Sequence, residues 1–318
     1  MMRRIIFLFL IISMLSGQVL AKPVVNVYSF RKAELISPLI TSFEIEHAVK
    51  VNLVYGKPNA LLSKLANEQI NSPVDVLLTS ELSQLQSYKH LLQPLAISNT
   101  EIDPTLIDDK RHWVAVSLRI RALFTRKTDT HHSLVNYSQL ANSDLAGQFC
   151  NRDFTHSYNQ QMAKSLKAIG SKQDTNWLDN PQSLLKRRPS GGDRDQLRFL
   201  YRQQCNYALA NHYYYAMLVN SKNPLDRAVA NHLEMHFLQT QSGVTPVSAT
   251  AAAISKNAPN EQNAQLFVNF LLSLEAQKLV TTELHEFAVL PTIRKTQLTH
   301  YPNLKLSLES VKKALKNK

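Results

Sequence analysis

From Pro23 onward, short β-branched runs alternate with helical patterns, and that alternation constrains the fold more than any other feature of the chain. "PVVNVYS" reads as a strand, and "AELISPLITSFEIEH" as an amphipathic helix with apolar positions three and four apart. "VKVNLVY", "NALLSKLANEQ", "VDVLLTS" and "ELSQLQSYKHL" continue the order strand, helix, strand, helix. Such a series predicts parallel βαβ units and a layered α/β sheet. Both "VNVYS" and "VDVLLTS" end in small polar residues, at the carboxyl ends of strands, where ligands collect in open α/β sheets.

The alternation then breaks. "HWVAVSLRIRALFTR" is long enough to run from one body of the protein into another, and "TPVSATAAAISKNAPN" predicts a second crossing, with Pro246 restricted to an edge or a strand start. Between them lie further helices, a strand "NYALAN" and the loop "RRPSGGDRDQ", which reads as a turn entering a helix capped by Ser190 or Asp193. After them comes a helix "NEQNAQLFVNFLLSLEAQKLV" and a Lys-rich amphipathic tail. The chain's 318 residues exceed what one core absorbs. The expected organisation is therefore an α/β clamshell with two lobes, one from residues 22–118 plus 246–318 and the other from 119–245.

The first 21 residues predict export. "MMRR" supplies positive charge, "IIFLFLIISML" an apolar run too short for a comfortable membrane span, and "QVLA" small residues before Lys22. A signal peptide over 1–21 implies a soluble, periplasmic mature protein. In that oxidising compartment Cys150 and Cys205 pair by default, and a closed loop of that length stabilises a fold by ~4 kcal/mol in the chain-entropy picture. The net charge of +12 is scattered, and with no arrayed basic motif nucleic acid is excluded as a partner. Glycine is scarce, seven in the chain, and no phosphate-cradling loop is present. No nucleophile elbow or zinc-protease pattern appears either. "HLEMH" sets His232 and His236 four apart, on one face if helical, but places Leu233 where a metalloprotease needs Glu. The pair His131–His132 sits in polar loop sequence. Nothing nominates an enzyme.

"ANHYYYAML" sets three tyrosines side by side at a strand-to-helix junction. Neighbours at a helix start point about 100° apart, so Tyr213 and Tyr214 can flank one cavity while Tyr215 packs elsewhere. Tyr158, in "THSYNQQM", sits at another helix start with Ser157 placed to cap it. Converging phenols would make a hard anionic oxygen cage suited to Fe³⁺, although aromatic packing is the commoner fate of such residues. Arg31, after the first strand, and Arg119 and Arg121, on the crossing, carry forks suited to carboxylate or carbonate. Salt bridges between lobes are the alternative.

These residues taken together resemble the periplasmic ferric-iron-binding proteins of ABC importers, within the type 2 periplasmic binding protein fold. The likeness runs from about Val24 to Pro291 and is carried by "VNVYSFR", "VNLVYGKPNALLSKL", "NSPVDVLLT", "LRIRALF", "SYNQ", "RRPSGGDRDQ", "CNYALANHYYYA" and "SKNAPNEQNAQLFVNFLLS". It implies Fe³⁺ held by the phenolates of Tyr158, Tyr213 and Tyr214, with carbonate or a similar anion completing the shell. Arg31 and Arg119 are the candidates to hold that anion. Lys32-Ala33 stand where some members add a His-Tyr pair, so a three-tyrosine variant is implied. Cys150 and Cys205 stand where members carry a disulfide. The expected partner is an inner-membrane ABC permease, served by a monomer. "GVTPVSATAAA" over 243–253 and "LSQLQ" after the third strand depart from the family pattern. A diverged binder of another metal or organic anion, or a periplasmic sensor, is the alternative.

Overall fold

The computed structural model describes residues 23–80, 82–129 and 134–316; the expected signal peptide and the His131–His132 pair lie outside them. The leading alternation folds as its pattern dictates. β1 (Val24–Ser29), α1 (Ser37–His47), β2 (Lys50–Tyr55), α2 (Pro58–Glu68) and β3 (Val76–Thr79) follow in order, and β1 pairs in parallel with β2 on one side and β3 on the other. Pro58 opens α2, where its missing N–H costs nothing. The next helix is shorter than its pattern suggests. α3 (Leu82–Leu85) tightens at once into a 3₁₀ segment, Gln86–Leu91, with Tyr88 outside helical geometry, and leads to β4 (Leu92–Gln93).

β5 (Val114–Arg119) and β6 (Arg121–Arg126) are one extended run divided at Ile120. β5 belongs to the first sheet and β6 to a second one, so the long strand passes between lobes as expected. After β6 come β7 (Phe149–Cys150), α4 (Ser157–Ile169), α5 (Lys172–Thr175), α6 (Asp193–Tyr201), β8 (Tyr207–Asn211), α7 (His212–Val219), α8 (Pro224–His232) and β9 (Leu233–His236). The second sheet has the order β7-β8-β6-β9. Period-two alternation sorts its side chains. Leu123, Tyr207 and Leu209 face one core while Ala122, Phe124, Ala208 and Ala210 face the other. The Cys150–Cys205 disulfide joins the end of β7 to the approach to β8.

The chain returns through β10 (Thr245–Pro246) and β11 (Ser248–Ser255), then α9 (Glu261–Leu271), α10 (Leu274–Thr282), α11 (Pro291–Leu298), β12 (Leu306–Ser307) and α12 (Glu309–Lys313). Pro246 lies in a two-residue strand paired only with β12, the kind of place proline tolerates. β11 runs antiparallel through the middle of the first sheet, against β3 on one side and β5 and β4 on the other. Its alanines are fully buried, and one continuous core surrounds the first sheet.

Four local expectations are corrected. "HLEMH" is no single helix: His232 closes α8 and Leu233–His236 is an edge strand against β6. The run 260–280 is two helices, with Ser273 capping the second through Ala276 N. His156, not Ser157, caps α4. Gly192, not Ser190 or Asp193, precedes α6, and its N–H is spent on Asp195 (2.7 Å). Gly191 there has φ +71°, and a Cβ would meet the Asp195 carboxylate at 2.5 Å. The turn is a structural one, with that amide unavailable to an anion.

Candidate metal centre

The local structure of "NYALANHYYYA" sets two phenols at one point. β8 ends at Asn211 and α7 begins at the next residue, so Tyr213 and Tyr214 leave the first turn in neighbouring directions. Their ring centroids are 4.3 Å apart, tilted by 40°. Tyr213 is 1% exposed and Asn211 Nδ2 donates to its hydroxyl oxygen (3.2 Å). Tyr215 points elsewhere, donating to the Ala230 and Leu233 carbonyls and packing on Phe124.

This junction is anchored from beneath. The Asn211 N–H donates to Asp193 Oδ2 (2.8 Å), and the same oxygen accepts from Arg121 Nη1 (2.8 Å). Arg121 Nη2 donates to Asn151 and to the Leu209 carbonyl. Arg121 is thus a buried structural fork tying β6, α6 and β8 together, the salt-bridge alternative rather than an anion holder.

Tyr158 arrives from the first turn of α4. The Tyr158 N–H donates to His156 Nδ1 (3.2 Å), and the imidazole lies edge-on to the phenol ring at 4.8 Å. Burial, with Arg152 alongside, pushes His156 down to about 4, so it is neutral and able to accept at neutral pH. Two guanidiniums flank the Tyr158 ring, Arg119 at 5.5 Å and Arg152 at 5.4 Å. The Tyr214 phenol lies close enough to both Tyr213 and Tyr158 for each to bear on its titration. The three tyrosines singled out from the sequence therefore converge.

The two arginines expected to hold an anion are both buried beside this cluster, with different freedom. Arg31, 6.0 Å from the Tyr213 ring, places its fork on Glu286 (2.9 and 2.6 Å) and reaches Thr250 as well. Ser117 donates to the same carboxylate. Arg119 Nη2 donates to the carbonyls of Ser80 and Ala249 and toward Gln161 Oε1. Its Nε, and the nearby Gln161 Nε2, are buried N–H donors with no acceptor. Such donors are costly to leave unpaired.

Electrostatics follow from this placement. Burial, reinforced by the neighbouring phenols, pushes Tyr213 and Tyr214 well above the ordinary phenol value, although Arg119 and Arg31 pull Tyr213 the other way. Burial alone would raise Glu286, but Arg31 and Arg119 hold it below the usual carboxylate range. Arg31, Arg119, Arg121 and Arg152 surround the phenols, with Glu286 and Asp193 as the nearby carboxylates. Tyr213 and Tyr214 are thus held as neutral phenols in a cationic setting.

Sequence reasoning missed Glu286, Asp193, Arg152 and Gln161. Glu286 stands alone before the apolar "FAVL", and a lone carboxylate entering a buried run needs a cationic partner. Gln161 follows Tyr158 by three residues, which brings the two together on a helix.

Known proteins resemble this chain over most of its length. Iron uptake protein A1 of Synechocystis is 30% identical over 272 residues, covering 84% of this chain and 76% of that protein. The ferric binding protein from Campylobacter jejuni superposes with a TM-score of 0.83 at 29% identity, over 92% of this chain and 95% of its own. A Trichodesmium protein solved in complex with iron and citrate ligands superposes at 0.78 with 29% identity, again over 92% and 95%. These solved structures share the two-lobe type 2 periplasmic binding protein fold. Residues 25–283 match the family described as bacterial extracellular solute-binding protein, a family of transport proteins rather than enzymes. The chain belongs to that family.

Proposed function

We propose that this protein captures Fe³⁺ outside the cytoplasm and delivers it to an inner-membrane ABC permease. The observation that carries this reading is the convergence of Tyr158, Tyr213 and Tyr214 from two helix starts, with Tyr214 close to both others. Three phenolates balance the charge of Fe³⁺ and supply hard oxygen donors. The similar Synechocystis, Campylobacter and Trichodesmium proteins are iron-uptake or iron-binding proteins by their names, which supports the same cargo here.

An exogenous anion completes the shell. The unpartnered Arg119 Nε and Gln161 Nε2 support this, since both flank Tyr158 and require an acceptor. Arg31 contributes charge from beside Tyr213 while its fork remains on Glu286. Carbonate is one candidate. Citrate is the other, favoured by the complex of the Trichodesmium protein. The lobes are 22–118 with 246–318 and 119–245, a reading supported to within a residue or two by the break between β5 and β6 at Ile120. The mature chain acts as a periplasmic monomer after removal of residues 1–21. Among the described residues no helix is long and apolar enough to cross a membrane.

The test is a visible-absorption titration of the iron-free mature protein with ferric nitrilotriacetate, in bicarbonate and in citrate separately. A saturable tyrosinate-to-iron charge-transfer band at one iron per chain is expected. Tyr214→Phe should weaken binding beyond the roughly 10–100-fold that outer-shell changes cost, with circular dichroism unchanged. Because raised phenols must release protons to bind, apparent affinity should rise with pH, by up to about tenfold per proton released per pH unit. An unchanged band in Tyr214→Phe would remove Tyr214 from the ligand set.

A further inference from the structure

Behind α7, on the seam between the lobes, lies a cavity of about 630 Å³. That volume is within the roughly 300–1,000 Å³ of small-molecule sites. α7 contributes residues 212, 215, 216 and 219, which share one helical face, whereas Tyr213 and Tyr214 leave from the opposite face at 100° per residue. The cavity is thus separate from the tyrosine cluster, with one helix as the wall between them.

Its chemistry is defined. Tyr215, Met235, Phe287 and Tyr301 supply aromatic and thioether walls, and the Phe287 and Tyr301 rings stand 5.9 Å apart, edge to face. Lys278 stands at the rim of the α10 side, exposed and with no ion-pair partner among the described residues, and His285 and His300 add imidazoles. Among the described residues no Asp or Glu lines the cavity. Glu234 and Glu283 act on Tyr215 and His285 from outside the lining. Aromatic walls, an unpaired ammonium and no carboxylate select a flat ring system carrying an acidic group.

We propose that this seam cavity is a second ligand site, taking a small aromatic anion of the aryl carboxylate or aryl sulfonate class, with its rings against the half-buried Tyr215 and Tyr301 and its acidic group at Lys278. The site stands on the cavity itself and holds whether or not the tyrosines bind iron. Its walls come from α7 and β9 on one side and from α10 and α11 on the other, so an occupant touches both lobes.

The probe is 8-anilinonaphthalene-1-sulfonate, titrated into the iron-free mature protein and followed by fluorescence. Saturable binding of one probe per chain is expected. The uncharged N-phenyl-1-naphthylamine, with similar rings and no sulfonate, should bind about tenfold more weakly or worse, a difference of ~1.4 kcal/mol. Lys278→Glu, a surface change, should weaken the sulfonate by a similar factor and narrow its advantage over the neutral probe. Ala216→Trp, which fills the cavity, should abolish both. Tyr214→Phe should leave the titration unchanged, whatever it does to iron. Binding that survives Lys278→Glu unaltered, equal affinity for the two probes, or no saturable binding to the folded protein would overturn the site.

Discussion

Glu286 and Arg31 form the pair on which the floor of the tyrosine cluster rests. The carboxylate is fully buried and accepts from both ends of the guanidinium fork and from Ser117. Removing one partner of such a pair leaves a buried charge uncompensated, at a cost of about 3–5 kcal/mol. Glu286→Gln should lower stability by that amount in urea unfolding, and adding Arg31→Met should recover most of it. The pH dependence has a fixed sign. Because Glu286 is held below its ordinary value of 4.5, its stabilisation is complete above that pH and is lost as pH falls through the lower folded value. A pH series of unfolding midpoints should show this loss in the wild type and not in Glu286→Gln. At this scale the sequence was legible where chemistry is rare. Adjacent tyrosines at a strand-to-helix junction need few explanations. Glu286 was not legible, because its partner is 255 residues away and nothing in its neighbourhood names an arginine.

The element scale turns on how α7 is held. Its first residues are fixed by Asp193 and Arg121, and the disulfide ties β7 to the segment entering β8, one strand earlier. The covalent link therefore stabilises the lobe without setting the phenols. Cys150→Ala with Cys205→Ala should cost about 2–4 kcal/mol of stability while the iron charge-transfer band at saturation persists. Loss of the band in a folded variant would show that the bridge positions α7. Elements were readable from periodicity wherever one face is buried. The misreadings have physical causes. The 260–280 run keeps helical spacing across a real break, because Ser273 caps a new helix that packs on the same core. His232 and His236 stand four apart on a helix end and an edge strand, and spacing alone cannot separate those cases.

The whole molecule is two α/β lobes joined where β5 becomes β6 and where the chain returns through β10 into β11. The clamshell was legible because both crossings are long apolar runs flanked by complete α/β patterns. The seam cavity was not, because its walls come from segments over 50 residues apart, α7 and α10. With Tyr158, Tyr213 and Tyr214 on the second lobe and Arg31 on the first, cargo and anion together should draw the lobes inward by hinge motion. Small-angle scattering should then show a smaller radius of gyration for the protein with Fe³⁺ and anion than for the iron-free protein. An unchanged radius in a chain with a saturated charge-transfer band would assign capture to the second lobe alone.

β11 is the strand that β3, β4 and β5 all grip, yet it is the last strand of its sheet to be made. As the chain emerges from its N-terminus, the entire second sheet is available before residues 248–255 appear. Until then β3 and β5 have bare edges, of the kind that invite pairing with other chains. The order of synthesis thus gives this protein one lobe that can finish early and one that must wait for its keystone. The interval between them is when a holding partner has most to protect.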